Sequence, residues 1–141
     1  MSKEFDECLK KRKITEFERA KGLVLKELGL ADSDLKFANV SFKEENYKWA
    51  TIQAYYSMFH SARALIYSKG YRERSHYCLN IAIRTLFVSE GKLSVTLVEA
   101  LQLGKTLREN ADYYGEFSKE AAEQMLENAE EFLVTARRLV R

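Results

Sequence analysis

Apolar residues recur at three-four spacing along most of this chain, the signature of amphipathic helices packed around a shared core. A short charged helix is expected around Ser2 to Lys11. A second runs from about Ile14 to Leu28, with Phe17, Ala20, Leu23, Val24 and Leu28 on one stripe and Gly29 placed to stop it. Asp32 or Ser33 can cap the next, which carries Leu35, Ala38 and Phe42. The strongest pattern spans Tyr47 to about Ser68, where Trp49, Ile52, Tyr55, Tyr56, Phe59, Ala62, Leu65 and Ile66 keep the spacing until Gly70. Ser75 can cap a helix holding Leu79, Ala82, Ile83, Leu86 and Phe87 before Gly91. From Ser94, Leu97, Ala100, Leu101, Leu103 and Leu107 lead to Tyr113 and a stop at Gly115. Ser118 then caps a final helix with Met125, Ala129, Phe132, Ala136 and Val140 inward.

No segment reads as a strand. The connections are short, so the expected fold is all-α, an up-and-down helical bundle of five to six helices in a single domain, residues 1–141. Composition agrees: the chain has no proline and only six glycines, which favours long helices over β-rich architectures. No repeat, low-complexity tract or linker interrupts it.

Charge adds local information. A net charge of +2 is too small to argue for constitutive binding to long nucleic acid, so any basic site must be local. Between Arg63 and Arg84, five cations (Arg63, Lys69, Arg72, Arg74, Arg84) meet only Glu73. Between Glu109 and Glu131, eight acids face Lys119 alone, as on a solvated helix face. Cys8 and Cys78 have no metal-ligand spacing and make no disulfide framework, and the N-terminus lacks a signal-peptide pattern, so a reducing cytoplasmic setting is expected. No apolar run is long enough for a transmembrane helix.

Both histidines, His60 and His76, fall in one window with Arg63, Arg72 and Arg74. Histidine titrates near neutrality and arginine is the cation best shaped for phosphate, so the window suggests a nucleotide or RNA ligand. Tyr56, His60 and Arg63 share a helix face. That face either binds the ligand or packs in the core, with Tyr56 and His60 paired to each other or to a carbonyl. In the following loop, Arg72, Arg74 and the free amides of the next helix can hold an anion beside His76. Arg108 and Asp112 lie one turn apart and can form a surface ion pair. Tyr113 is five positions from Arg108, so the two are expected to meet at one ligand only if the helix unwinds or a second chain contributes. Glycine-rich phosphate loops, zinc spacings and nucleophile-elbow motifs are absent from the sequence.

The stretch Trp49 to Leu65, with Tyr55-Tyr56-Ser57-Met58-Phe59-His60 at its centre, followed by Gly70-Tyr71-Arg72, Ser75-His76, Arg108 to Tyr113 and Ala129 to Leu133, resembles the HEPN domain, a nucleotide-binding family of higher eukaryotes and prokaryotes. It is most similar to the small stand-alone prokaryotic branch. The resemblance implies a dimerising helical bundle that works with a minimal nucleotidyltransferase, often as toxin and antitoxin. Active members are metal-independent endoribonucleases with an arginine, four to six intervening residues and a histidine. Arg108 matches that arginine, whereas Tyr113 stands at the histidine position. Tyrosine, with a pKa near ~10, is a poor general base at neutral pH.

The resemblance therefore implies a nucleotide- or RNA-binding homodimer acting with a nucleotidyltransferase. Tyr56, His60, Arg63, Arg72, Arg74, His76, Arg108 and Asp112 are its candidate ligand contacts, and Tyr113 or Tyr114 its candidate adenylyl acceptor. The alternatives are a metal-independent ribonuclease using Arg108 and Tyr113 with His60 or His76, and a structural dimer without ligand. No cofactor or membrane association is expected.

Overall fold

The computed structural model describes residues 1–140 and forms a helical bundle around one central helix. Helix α1 (Lys3–Lys10) is capped by Ser2, whose hydroxyl accepts from the Phe5 amide at 3.1 Å. Its end is a Schellman turn: Arg12 takes a left-handed φ of 57° while the amides of Arg12 and Lys13 donate to Leu9 and Cys8. Strand β1 (Ile14–Glu16) and a 3-10 turn (Glu18–Leu23) lead into α2 (Val24–Lys43). Then come α3 (Tyr47–Ser68), β2 (Tyr71–Glu73), α4 (His76–Ile83), α5 (Val95–Tyr114) and α6 (Lys119–Leu139). Between α4 and α5, residues Arg84–Val88 form a π-turn that extends α4.

Helix α3 is the axis. Thirteen of its 22 residues are buried, too many for a single face, and it packs against α2, α4, α5 and α6. Alanines at 50, 54, 62 and 64, all fully buried, let the neighbouring backbones approach closely. Tyr55, Met58, Leu65 and Ile66 belong to one buried core with Phe87, Met125, Phe132 and Leu133. The acids of α6, including Glu123, Glu127, Glu130 and Glu131, lie exposed, as a solvated face requires. Among the described residues, no helix is long and apolar enough to cross a membrane.

Three expectations are corrected. Ile14–Glu16 is a strand, paired antiparallel with Tyr71–Glu73 in the register Ile14 to Glu73, Thr15 to Arg72 and Glu16 to Tyr71. The pairing is supplied by a segment more than fifty residues away, so local periodicity cannot reveal it. Gly29 does not end a helix, and Asp32 and Ser33 do not start one. Helix α2 runs straight through them, because Val24, Leu28, Ala31 and Ala38 form one continuous buried stripe, whose packing offsets the roughly 1 kcal/mol cost of a mid-helix glycine. The cysteines are not separate: Cys8 of α1 and Cys78 of α4 form a disulfide with their Cα atoms 5.9 Å apart. That removes the argument from unpaired cysteines for a reducing compartment.

Because the disulfide closes a span of 70 residues, the chain-entropy model assigns it about 4 kcal/mol of stability. Urea denaturation with and without reductant is expected to show that loss, and the Cys8→Ser/Cys78→Ser variant to match the reduced protein. An unchanged midpoint would contradict the staple.

Candidate phosphate-binding site

Of the polar residues singled out by the sequence, Tyr56, His76, Arg108 and Tyr113 fall in one cluster and His60 and Arg63 in another, on either side of Phe59. The first is built where α5 crosses α3. Gly104 permits the approach: a Cβ there would lie 2.9 Å from Met58 Cε and 3.4 Å from Tyr55 Cδ1, so a side chain would have to displace the tip of Met58 or push the helices apart. One turn later, Arg108 Nη2 donates to Tyr56 Oη at 2.6 Å. The guanidinium carbon lies 5.3 Å from the Tyr56 ring centre, 5.7 Å from that of Tyr113 and 6.0 Å from that of Tyr55. Burial works against the charge, but the Tyr56 hydrogen bond and the neighbouring Tyr113 and Asp112 hold Arg108 above its ordinary pKa. Arg108 is thus a permanent cation among three aromatic faces, and its Nε is buried without a partner.

Tyr55 extends this cluster to His76, the first residue of α4. The Tyr55 hydroxyl and His76 Nδ1 are 2.7 Å apart, and the imidazole stacks on Phe59 with ring centres 5.1 Å apart. Burial pushes the Tyr55 phenol pKa up, so Tyr55 stays protonated. Burial, followed by the charges of Lys105 and Arg108, pushes His76 below its usual pKa, against a smaller pull from Glu109. His76 is therefore neutral at pH 7 and has one nitrogen free to accept a proton whenever Nδ1–H donates to Tyr55. Lys105 and Glu109 themselves pair at 3.9 Å on the exposed side of α5.

The second cluster is a closed network. His60 Nδ1 contacts Glu27 Oε2 at 2.6 Å, and its Nε2 lies 3.8 Å from Asp34. Arg63 reaches Glu73 at 3.2 Å and Glu27 at 3.6 Å, and donates to the Tyr67 hydroxyl. Burial pushes the Glu73 carboxyl upward in pKa, with Arg63 opposing it. Every group here faces another group of the same network, tying α2 and β2 to α3.

The expected shared face of Tyr56, His60 and Arg63 is therefore divided. Tyr56 joins Arg108, whereas His60 and Arg63 belong to the Glu27–Glu73 network, and Tyr56 and His60 do not pair. Arg72 and Arg74 are exposed on the ribbon, away from Arg108, with Arg72 lying over the Phe17 ring at 5.1 Å. Asp112 is exposed and forms no ion pair with Arg108 among the described residues. The expectation for Tyr113 is corrected: its ring meets Arg108 without helix unwinding, because the long arginine side chain spans the five-residue offset at the C-terminal end of α5. Tyr113 and Tyr114 are both largely exposed.

Sequence reasoning missed the connecting residues. Tyr55 read as core, and it is core, but its hydroxyl is the bridge. Glu27 carried a signal: an acid within the apolar stripe of Val24, Leu28 and Ala31, which a solvated face does not produce.

The sequence model of the HEPN domain matches residues 27–139. This chain belongs to the HEPN family. Two proteins of Methanocaldococcus jannaschii are similar to it, each 30% identical over 105 residues. One, named "Putative toxin MJ0605", is matched over 74% of this chain and 78% of its own length; the other, "Putative toxin MJ0142", over 73% and 71%. The HEPN match takes in α3, α5 and both polar clusters, but starts after α1 and β1.

Replacing Arg63 by Met leaves Glu27 and Glu73 buried without their shared cation, an expected cost of about 3 kcal/mol. Urea denaturation measures it. His76 should titrate as before in the same variant, since Arg63 is not among the charges that shift it. A loss below about 1 kcal/mol would mean that the network does not hold α2 and β2 to α3.

Proposed function

We propose that this HEPN domain is a toxin-type module that holds an RNA or nucleotide phosphate on Arg108, with His76 beside it. The observation that carries the reading is Tyr55, whose ring lies beneath the Arg108 guanidinium while its hydroxyl contacts His76. A fixed cation gives a phosphate its counter-charge, and the exposed Tyr113 ring offers a base a stacking surface. In this reading the domain works as a homodimer with a minimal nucleotidyltransferase partner. Tyr113, Tyr114 and Phe117 are exposed at the Arg108 end of α5, where a second copy or a transferase would meet the site. The Tyr113 hydroxyl is then the natural adenylyl acceptor, its oxygen bonding to the α-phosphorus of ATP as pyrophosphate leaves and the phenolic proton passes to solvent.

A second reading, ribonuclease action, is favoured by one specific feature: a neutral histidine coupled to the arginine. His76 takes the proton of a ribose 2′-hydroxyl, O2′ attacks phosphorus, and the bond to O5′ breaks. Arg108 neutralises the charge that develops on the phosphorane, and the imidazolium returns its proton to O5′. The products are a 2′,3′-cyclic phosphate and a 5′-hydroxyl. His60, locked between carboxylates, has no comparable freedom.

Arg108→Ala is expected to weaken binding of a 2′-O-methyl RNA trinucleotide by about 10- to 100-fold, the value of a charged hydrogen bond. Fluorescence anisotropy measures it, and unchanged affinity removes the site. If cleavage occurs, it persists in EDTA and is lost in His76→Ala while binding remains. Its rate rises with pH through a value below about 6.5, the ordinary histidine pKa, and is flat above. The sign is fixed by the need for neutral imidazole. The same depressed pKa gives folding stability that is present above about 6.5 and lost as pH falls through the folded value. Intact RNA with pure protein leaves the binding reading alone standing.

A further inference from the structure

The folded ribbon assembles a basic edge that the sequence shows only in pieces. Lys10, Lys11, Arg12 and Lys13 follow one another at the end of α1 and the entry to β1. Across the ribbon, Thr15 pairs with Arg72, and the Arg74 amide donates to the Lys13 carbonyl at 2.8 Å. Strand alternation turns Glu73 inward to Arg63 and leaves Arg72 and Arg74 outward. The one acid of β2 is thereby hidden and neutralised. All six cations are exposed, and none is in an ion pair among the described residues.

An exposed aromatic lies against this edge. Tyr77, 62% exposed, borders a cleft of about 220 Å³ with Lys11, Lys13 and Ser75; Glu4 and Glu7 are its acidic lining. Tyr77 adjoins His76 in the chain. The disulfide fixes the remaining distance: Lys10 is two residues beyond Cys8, and His76 is two before Cys78. With the cysteine Cα atoms 5.9 Å apart, chain length alone keeps Lys10 within about 20 Å of His76.

We propose that this edge is a second RNA contact, along which the backbone of a single strand runs past Tyr77 to the phosphate site at Arg108 and His76. The proposal rests on the RNA reading above and extends it to Lys10–Lys13, which lie outside the HEPN match. Cations in a row with an adjacent exposed ring are what a single strand needs, phosphates on the one and a base on the other. A membrane surface would call for an apolar rim beside the cations, and Tyr77 is flanked instead by Lys11, Lys13 and two carboxylates.

Arg12 supplies a clean variant. Its φ of 57° lies in the left-handed region that favours glycine, so Arg12→Gly removes a charge while keeping or raising the melting temperature. Anisotropy with two noncleavable 2′-O-methyl RNAs, a trinucleotide and a dodecamer, separates the two sites. Replacing Lys11, Lys13 and Arg74 by Gln in Arg12→Gly should weaken dodecamer binding at least tenfold. It should reduce the log–log salt slope by about 2 to 3, at ~0.7 per phosphate contact. Trinucleotide binding should be unchanged. Tyr77→Leu should weaken the dodecamer about tenfold with little change in slope. Unchanged dodecamer affinity and slope in the quadruple variant would overturn the edge, as would loss of binding to anionic lipid vesicles with RNA binding intact. Loss of trinucleotide binding in Arg108→Ala, with the dodecamer's residual salt-dependent affinity retained, identifies two separate sites. If instead the trinucleotide fails to bind wild type while the edge variants still weaken the dodecamer, the Arg108 reading fails and the edge stands.

Discussion

The position of Arg108 depends on the absence of a side chain at Gly104. With a Cβ there 2.9 Å from Met58 Cε, α5 would have to move off α3 or force a fully buried methionine aside. Interiors are close-packed, so a displacement of α5 would carry to its next turn, where the guanidinium lies among Tyr55, Tyr56 and Tyr113. The buried alanines of α3 do the same for its other neighbours. Close backbone approach around one central helix is what lets side chains from α3, α4 and α5 meet at one place.

Two polar clusters with similar residue types have different chemical prospects for this reason. In the Glu27–His60–Arg63–Glu73 network, each charge faces an opposite one within the same fold. Such groups are already satisfied, and a ligand would have to displace them. Arg108 has one neutral partner in Tyr56 and aromatic faces around it, so its charge remains available. His76 is kept neutral by burial and by nearby cations, and an arriving phosphate would reverse part of that balance.

Much of the helical frame was readable from the chain. The capping serines at 75, 94 and 118 each accept from a backbone N–H at the expected helix start. The long stripe from Tyr47 to Ser68 is the central helix. What could not be read depends on contacts distant in sequence. Ile14–Glu16 is a strand only through its pairing with β2, and Cys8 meets Cys78 only where α1 packs on α4. His60 and His76 look equivalent until Glu27, 33 residues from His60, closes one of them into a network. Gly29 failed as a stop because the buried stripe of α2 continues past it.

The central claim, that phosphate binds at Arg108 beside His76 and not at His60, is tested most directly by the histidine side-chain resonances. Imidazole NMR titrations of the protein, free and saturated with a noncleavable RNA trinucleotide, give the pKa of each histidine separately. The account predicts that RNA raises the depressed pKa of His76, because a bound phosphate favours the imidazolium, and perturbs the His76 resonances more than those of His60. An unchanged His76 pKa at saturation, or resonance changes confined to His60, would contradict it.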